Sequence, residues 1–488
     1  MKLYNTLNRQ KECFQPITEG KVGIYVCGIT AYDNCHIGHA RSALVFDMVT
    51  RYLRWCGFEV RFVKNFTDVD DKIINKANRE GTTIFAISQR YIAEHNHDMN
   101  SLGVLPPNET PLATEHIDGM IALIESLIAK GIAYAVDGDV YFSVEKFPGY
   151  GKLSGRNPEE LLAGARVEVG EKKHNPLDFA LWKASKENEP WWESPWGRGR
   201  PGWHIECSAM GKCLLGECFD IHGGGADLIF PHHENEIAQS EAAYGKMPAR
   251  YWMHNGFVKI SGEKMSKSLD NFITIKDLLK VYHPDVLRFF MLQFHYRSPI
   301  DFSLEALAEA RSALNRCYRL LEAIDSFLVG RTSLATDTPP LQNEELRSVV
   351  ASFPEKFREA MDDDFNSAKA FGVIFDFVRL VNSAIANKNF GKSTDAAAIL
   401  SAARKNLTSV GEALGLFTYS PAEYFQEDTA REIAKLGVSQ EEIGHLVNQR
   451  QKAREEKNWA RADEIRETLA GMKIQIKDTA RGTAWFVE

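Results

Sequence analysis

Residues Lys21 to Phe46, KVGIYVCGITAYDNCHIGHARSALVF, switch from one periodicity to another, and that switch limits the fold more than any other stretch. Val22, Ile24 and Val26 form an apolar, β-branched run of the kind buried in a parallel sheet. The run breaks at Gly28, crosses a polar loop and enters His36-Ile37-Gly38-His39 at the front of a helix. From Arg41 to Cys56, Leu44, Val45, Met48, Val49, Tyr52 and Leu53 recur at helical spacing, and Gly57 is a suitable stop. Glu59 to Phe66 reads as a second strand. A strand–helix–strand unit of this kind implies a parallel pair in an open α/β sheet, which presents ligand-binding groups at the carboxyl ends of its strands. Cys27, His36 and His39 all lie on that side. So does Thr67-Asp68-Val69-Asp70-Asp71, where Asp70 and Asp71 read first as the cap and first turn of a helix Lys72 to Arg79.

The remaining pattern describes a sheet built in two halves. A helix is expected from Pro111 to Lys130, then a hairpin from Ala133 to Val144 turning at Asp137-Gly138-Asp139. Glu145 to Pro201 mixes Pro, Gly, charge and Trp191, Trp192 and Trp196 without period, and reads as an insertion between the halves. The second half resumes at Gly202, with a strand Phe219 to His222 and a glycine loop Gly223 to Gly225. Pro231 then opens a helix bearing His232, His233 and Glu236. A strand from Tyr251 to Ile260 leads into a loop, Ser261 to Asn271, carrying Lys264-Met265-Ser266-Lys267-Ser268.

Beyond Ile275, the runs Leu304 to Leu328, Asn343 to Met361 and Asp364 to Asn387 predict an all-α bundle, with connections at Gly330 to Pro340 and Thr418 to Glu423. The tail pairs a charged helix, Asn448 to Leu469, with strand-like ends at Ile474 to Ile476 and Thr483 to Val487. At 488 residues several domains are expected. The division read here is a split Rossmann-type catalytic domain (1–120 and 201–260), an insertion (121–200), a lysine-loop region (261–310), a helical bundle (311–420) and a small C-terminal α/β module (421–488).

Composition narrows the setting. Eight cysteines in so long a chain argue for reduced thiols rather than a disulfide scaffold, and the start has no apolar leader segment, so a cytoplasmic location is expected. No apolar run of about 18 residues occurs, so no helical membrane span is expected. A net charge of −8 argues against a general nucleic-acid binder, while leaving room for local RNA-binding patches.

Three groups of residues carry chemistry. Gly38, between His36 and His39, lets a base or ribose lie against the backbone, and the helix N-terminus beside it favours phosphate. Lys264 and Lys267 offer point charges for a pyrophosphate leaving group. His232 and Glu236 are i, i+4 on one helix face, and with Cys27 and Cys207 they form a thiolate, imidazole and carboxylate set suited to Zn²⁺; by spacing alone, His233 with Glu236 (i, i+3) stays open.

HIGH (His36 to His39) and KMSKS (Lys264 to Ser268) together resemble the class I aminoacyl-tRNA synthetases. GWHIECSAM (Gly202 to Met210), DIHGGGADLIFPHHENE (Asp220 to Glu236) and FTDVDDKI (Phe66 to Ile73) resemble the cysteinyl-tRNA synthetases in particular. The resemblance implies ATP-dependent activation of L-cysteine to an adenylate and transfer to the 3′ end of its tRNA. It implies one Zn²⁺ per chain on Cys27, Cys207, His232 and Glu236, with Mg²⁺ accompanying ATP and His36, His39, Lys264 and Lys267 stabilising charge. Zinc preferring a thiolate would discriminate cysteine from serine. Asp227 is the choice for the substrate ammonium, with Thr67, Trp203 and His222 lining the pocket, although Trp203 reads equally as a core aromatic. The tail becomes an anticodon-reading module with Trp485 as a stacking residue, and the chain is expected to act as a monomer. Two rivals are a cysteine ligase charging an amino-sugar acceptor, and an inactive RNA-binding relative. The long C-terminal region argues against the first, and intact HIGH and KMSKS against the second.

Overall fold

The computed structural model describes residues 1–157, 172–260, 263–264, 273–330, 343–479 and 482–487. Strand β1 (Lys21–Thr30), helix α1 (Ile37–Trp55) and strand β2 (Glu59–Thr67) form the expected unit, with Val22 opposite Val60 and Ile24 opposite Phe62 in parallel register. Helices α2 (Asp71–Glu80) and α3 (Ile84–Ser101) follow; the sequence reading assigns no element to α3. The second half supplies α4 (Trp203–Leu215), β3 (Phe219–Gly225), α5 (Glu234–Tyr244) and β4 (Ala249–Asn255).

These strands make one parallel sheet in the order β4-β3-β1-β2. Both faces are covered, as an all-parallel sheet requires. Val22, Ile24, Val26, Val60 and Phe62 pack against α1, while Tyr25 and Val63 face a second cluster with Ile205, Met210 and Ile237. The chain runs outward in opposite directions from β1 and from β3, so a crevice opens between their carboxyl ends.

Several elements depart from the sequence pattern for steric reasons. β1 does not end at Gly28 but continues to Thr30 through a register shift between Val26 and Ile29. A Cβ on Gly28 would lie 1.5 Å from the Asn65 carbonyl oxygen, so glycine here permits two strands to approach rather than ending one. Gly223 to Gly225 belong to β3 and are not a loop; a Cβ on Gly223 would meet the Phe46 ring at 2.2 Å. Pro231 does not open a helix: Phe230 is extended, a wide turn spans Ile229–His233, and α5 begins at Glu234. The run Tyr251 to Ile260 is two strands, because Val258–Ile260 leaves the main sheet to pair with Ile300–Phe302 and Glu263–Lys264. The helix expected from Pro111 starts only at Ile117, and the tail helix is two, Gln440–Glu455 and Trp459–Gly471, separated at Lys457, whose φ is 60°.

The insertion folds as its own antiparallel sheet of Ala133–Val136, Asp139–Phe142, Phe179–Ala184 and Gly199–Pro201. Helix Leu304–Leu328 has the bounds its periodicity predicts, and Glu344–Met361, Ser367–Ala386 and Ala396–Leu414 complete the bundle. Residues 120 and 310, where the sequence reading divides the chain, fall inside helices Ile117–Ala129 and Leu304–Leu328. One apolar core runs from α1 through Phe289 and Leu314 to Phe357 and Leu407, and the buried pair Arg288–Asp47 crosses the same junction. The tail has a separate small core of Ile433, Ile443, Val447, Ile465, Leu469 and Ile474. Among the described residues no helix is long and apolar enough to cross a membrane.

Candidate active site

A cavity of about 670 Å³ opens in the crevice beyond β1 and β3. Cys27, His36, Gly38, His39, Trp203 and Asp227 all contribute to its wall. The sheet brings these six residues into one space.

On one side the first turn of α1 is closed by its own histidines. The Gly38 N–H donates to His36 Nδ1 at 3.0 Å, and the His36 N–H donates to His39 Nδ1 at 3.3 Å. The result is a reciprocal cap made with imidazoles instead of hydroxyl and carboxylate. Because each Nδ1 accepts a backbone hydrogen, each ring carries its proton on Nε2. The two rings stack with centroids 3.8 Å apart. Burial pushes His36 down to about 4 and His39 well below its usual value, with His36 adding to the latter. Both are neutral hydrogen-bond donors near pH 7.

On the other side two thiols, three imidazoles and a carboxylate converge. Cys27 Sγ stands 3.6 Å from Cys207 Sγ, 3.4 Å from Glu236 Oε1 and 3.3 Å from His233 Nε2. His232 Nε2 lies 3.1 Å from Glu236 Oε1, and His222 Nε2 lies 2.8 Å from Glu236 Oε2. Two sets of donor atoms fall within 4.8 Å of one another: Cys27, Cys207, His232 and Glu236, and Cys27, His222, His233 and Glu236. The first contains both thiols. A 3.6 Å separation matches the edge of about 3.8 Å spanned by two ligands on a tetrahedral ion with 2.3 Å metal–sulfur bonds. The residues present thus fit a zinc-like cation, and the wide turn before α5 is what aims His232 back over Glu236.

The donors also set one another's charge. Burial pushes the Cys27 thiol up, and the hydrogen bond it donates holds Cys207 down to about 6. Against burial, His222 and His232 keep the Glu236 carboxyl well below its usual range, and Glu236 lifts the equally buried His232 to about 10. Outer partners pin each ligand: Asn65 Oδ1 accepts from the Gly28 N–H at 2.9 Å and from Cys207 at 3.7 Å, His204 meets His232 at 3.0 Å, and Gln239 donates to His204 O and Ser208 Oγ, each at 2.8 Å. His233 is tied through Nδ1 to His254, which reaches Thr6.

The other expected residues divide. Trp203 is 39% exposed and stacks on His232 at 4.3 Å, so it caps the cluster at the cavity rather than filling the core. Asp227 is an exposed wall residue near His36. Thr67 and His222 lie behind the wall: Thr67 is buried and donates to Glu206 Oε2 at 2.6 Å, and His222 orients Glu236. Of the lysine loop, the backbone of Lys264 is described as part of a short strand, and Lys267 lies outside the described residues. Sequence reasoning missed Asn65, His204, Gln239, Glu206 and His254. The one available signal was the polar pair Lys64-Asn65 interrupting the apolar strand β2.

Residues 13–312 match the family described as tRNA synthetases class I (C) catalytic domain. Residues 356–418 match the DALR domain, and residues 440–485 the cysteinyl-tRNA ligase anticodon binding domain. Cysteine–tRNA ligase of Geobacter sulfurreducens is 56% identical over 488 residues, covering 100% of both chains, and that of Thermodesulfovibrio yellowstonii is 50% identical over 493 residues with the same coverage. Among solved structures, a Mycobacterium tuberculosis methionyl-tRNA synthetase in complex with methionyl-adenylate superposes with a TM-score of 0.57 at 17% identity, over 86% of this chain and 94% of that one. A Campylobacter jejuni putative arginyl-tRNA synthetase gives 0.58 at 14% identity, over 82% of this chain and 94% of that one. The fold is thus shared beyond close relatives.

Proposed function

Since the chain belongs to the cysteine–tRNA ligase family of class I synthetases, we propose a division of labour within its cleft. The protein ligates cysteine to tRNA with ATP. Asp227 takes the cysteine ammonium, leaving the carboxylate directed at the side of the cavity where His36 and His39 stand. Their Nε2–H groups donate to phosphoryl oxygens as negative charge gathers there. Gly38 gives the adenosine room against the backbone, and Lys264 and Lys267 neutralise the departing pyrophosphate together with Mg²⁺. The terminal ribose of the tRNA then attacks the adenylate, and the tail from residue 421 onward holds the anticodon end. Its charged helices and Trp485, within the segment matched from 440 to 485, support that role.

Zn²⁺ would be held by Cys27, Cys207, His232 and Glu236. When bound, it supplies a soft Lewis acid that prefers a substrate thiolate to a hydroxyl, which a shape pocket separates only by about 10²-fold. Cys27 carries this reading, because it is both a member of the donor set and part of the wall of the cavity that contains His36 and His39. Metal analysis of the purified chain and cysteine-dependent ATP–pyrophosphate exchange, with and without chelator and with serine as competitor, tests it. Stoichiometric zinc, loss of exchange on chelation and negligible exchange with serine are expected. Full activity in a metal-free chain would refute the assignment.

A further inference from the structure

Lys64 lies on β2 opposite Val26, with its side chain turned toward α1. It contributes to the wall of the active cavity and also to that of a second cavity of about 290 Å³ bounded by Phe46, Phe62, His95 and Met99. Ser42, one turn along α1 from His39, stands in both walls as well. Lys64 is thus part of the partition beneath the first turn of α1. The groups that face it are Cys35 from the loop before α1, His39 from α1 and His95 from α3, none of them a carboxylate. Asp98, also on α3, bears on Cys35 instead. Among the described residues no carboxylate pairs with the Lys64 ammonium.

Lys64 is only partly exposed and faces the cavity, and an ammonium held there with no carboxylate partner among the described residues points to an anion that arrives with the ligand. The neighbouring groups do not provide equivalent charge. His36 and His39 are neutral donors, and a helix N-terminus supplies only about half an elementary charge. We propose that Lys64 binds the α-phosphate of ATP from beneath the first turn of α1 and supplies fixed positive charge on the histidine side of the cleft. The cavity wall also holds Lys72 of α2, 5.4 Å from the Tyr32 ring. The inference rests on ATP occupying the cavity as proposed above. Proton bookkeeping is consistent with it: burial lowers Lys64 to about 8, so its charge is present at neutral pH and is lost as pH rises through that value.

The test compares Lys64→Met and Lys64→Arg in the full chain by cysteine-dependent ATP–pyrophosphate exchange, alongside thermal melting. For Lys64→Met, kcat should fall about 10²-fold with a smaller change in the KM for ATP, as for loss of one preorganised donor to developing charge. Lys64→Arg should recover most of the rate and, being permanently charged, hold it above pH 8, where the wild type declines. Melting of Lys64→Met should be no lower than wild type, because the ammonium it replaces has no carboxylate partner among the described residues. Exchange in Lys64→Met within about threefold of wild type would overturn the proposal, since one lost charge contact should cost more. Equal losses in both variants, accompanied by lowered melting, would also overturn it and make Lys64 a packing residue. Absence of exchange in the wild type would instead sink the ligase reading. ATP titration calorimetry of the wild type and Lys64→Met then decides the Lys64 claim separately, with equal affinities counting against it.

Discussion

The two sides of the cleft hold their chemistry in different ways. The histidine side is local: His36 and His39 cap the helix they begin, each fixed by a backbone N–H within three residues. The thiol side is distant in the chain: Cys27, Cys207, His232 and Glu236 come from β1, α4 and the turn into α5. Asn65, His204, His222 and Gln239 then fix their orientations. A group that donates hydrogen bonds to a phosphate needs one correct rotamer and tautomer, which a single turn of helix can enforce. A group that shares an ion needs four donors on a common centre, which only packed elements can enforce.

That contrast can be broken by substitution. The largest effect is expected at the thiol side, where Cys207→Ala should abolish metal retention and reduce exchange to background, read by metal analysis and exchange on the same sample. His39→Ala should lower exchange by about 10²- to 10³-fold while leaving metal content unchanged, since it removes a donor to developing charge and not a ligand. Loss of metal in that variant would mean that the two sides are not independent. His222→Gln should weaken metal binding by about 10- to 100-fold through Glu236, with little change in melting of the metal-loaded chain.

The smallest effect concerns stability and separates local from distant histidines by acid. Burial holds His36 at about 4 and both His95 and His283 at about 3. In the unfolded chain histidine titrates near about 6.5, so the unfolded state binds more protons below that pH and stability falls as pH drops from there toward the folded values. His283 caps helix Pro284–Leu292, accepting the Asp285 N–H on Nδ1 at 3.1 Å. His283→Asn keeps an acceptor and removes the titration, so the acid-side loss should become shallower by up to about 1.4 kcal/mol per pH unit. Unchanged denaturation slopes between pH 6 and pH 4.5 would exclude His283 from the acid response.

The β-α-β unit, the paired motifs and helix Leu304–Leu328 were readable because each is written in a contiguous run whose period or end signals need no partner. The exceptions share a cause. Gly28 and Gly223 look like strand ends in sequence, and yet each is a glycine because Asn65 or Phe46, far along the chain, occupies the space of a side chain. Trp203 looked as much like core as pocket, and only its stacking on His232 at the cavity edge decided the matter. Likewise the choice between His232 and His233 was open by spacing, and packing gives the two imidazoles different partners: His232 meets Cys207 and lies 3.1 Å from Glu236 Oε1, while His233 lies 3.3 Å from Cys27 Sγ.

By itself, then, the sequence determined the kinds of donor present, the face of the sheet on which they stand and the family they resemble. Such properties follow from side-chain chemistry and short-range periodicity. Tertiary structure decided which of those donors converge, which orient others, and that Lys64 stands between two cavities with no carboxylate partner among the described residues. Those outcomes depend on distances of a few ångströms between segments about two hundred residues apart, such as Cys27 and Glu236, 209 positions apart, and no local pattern encodes them.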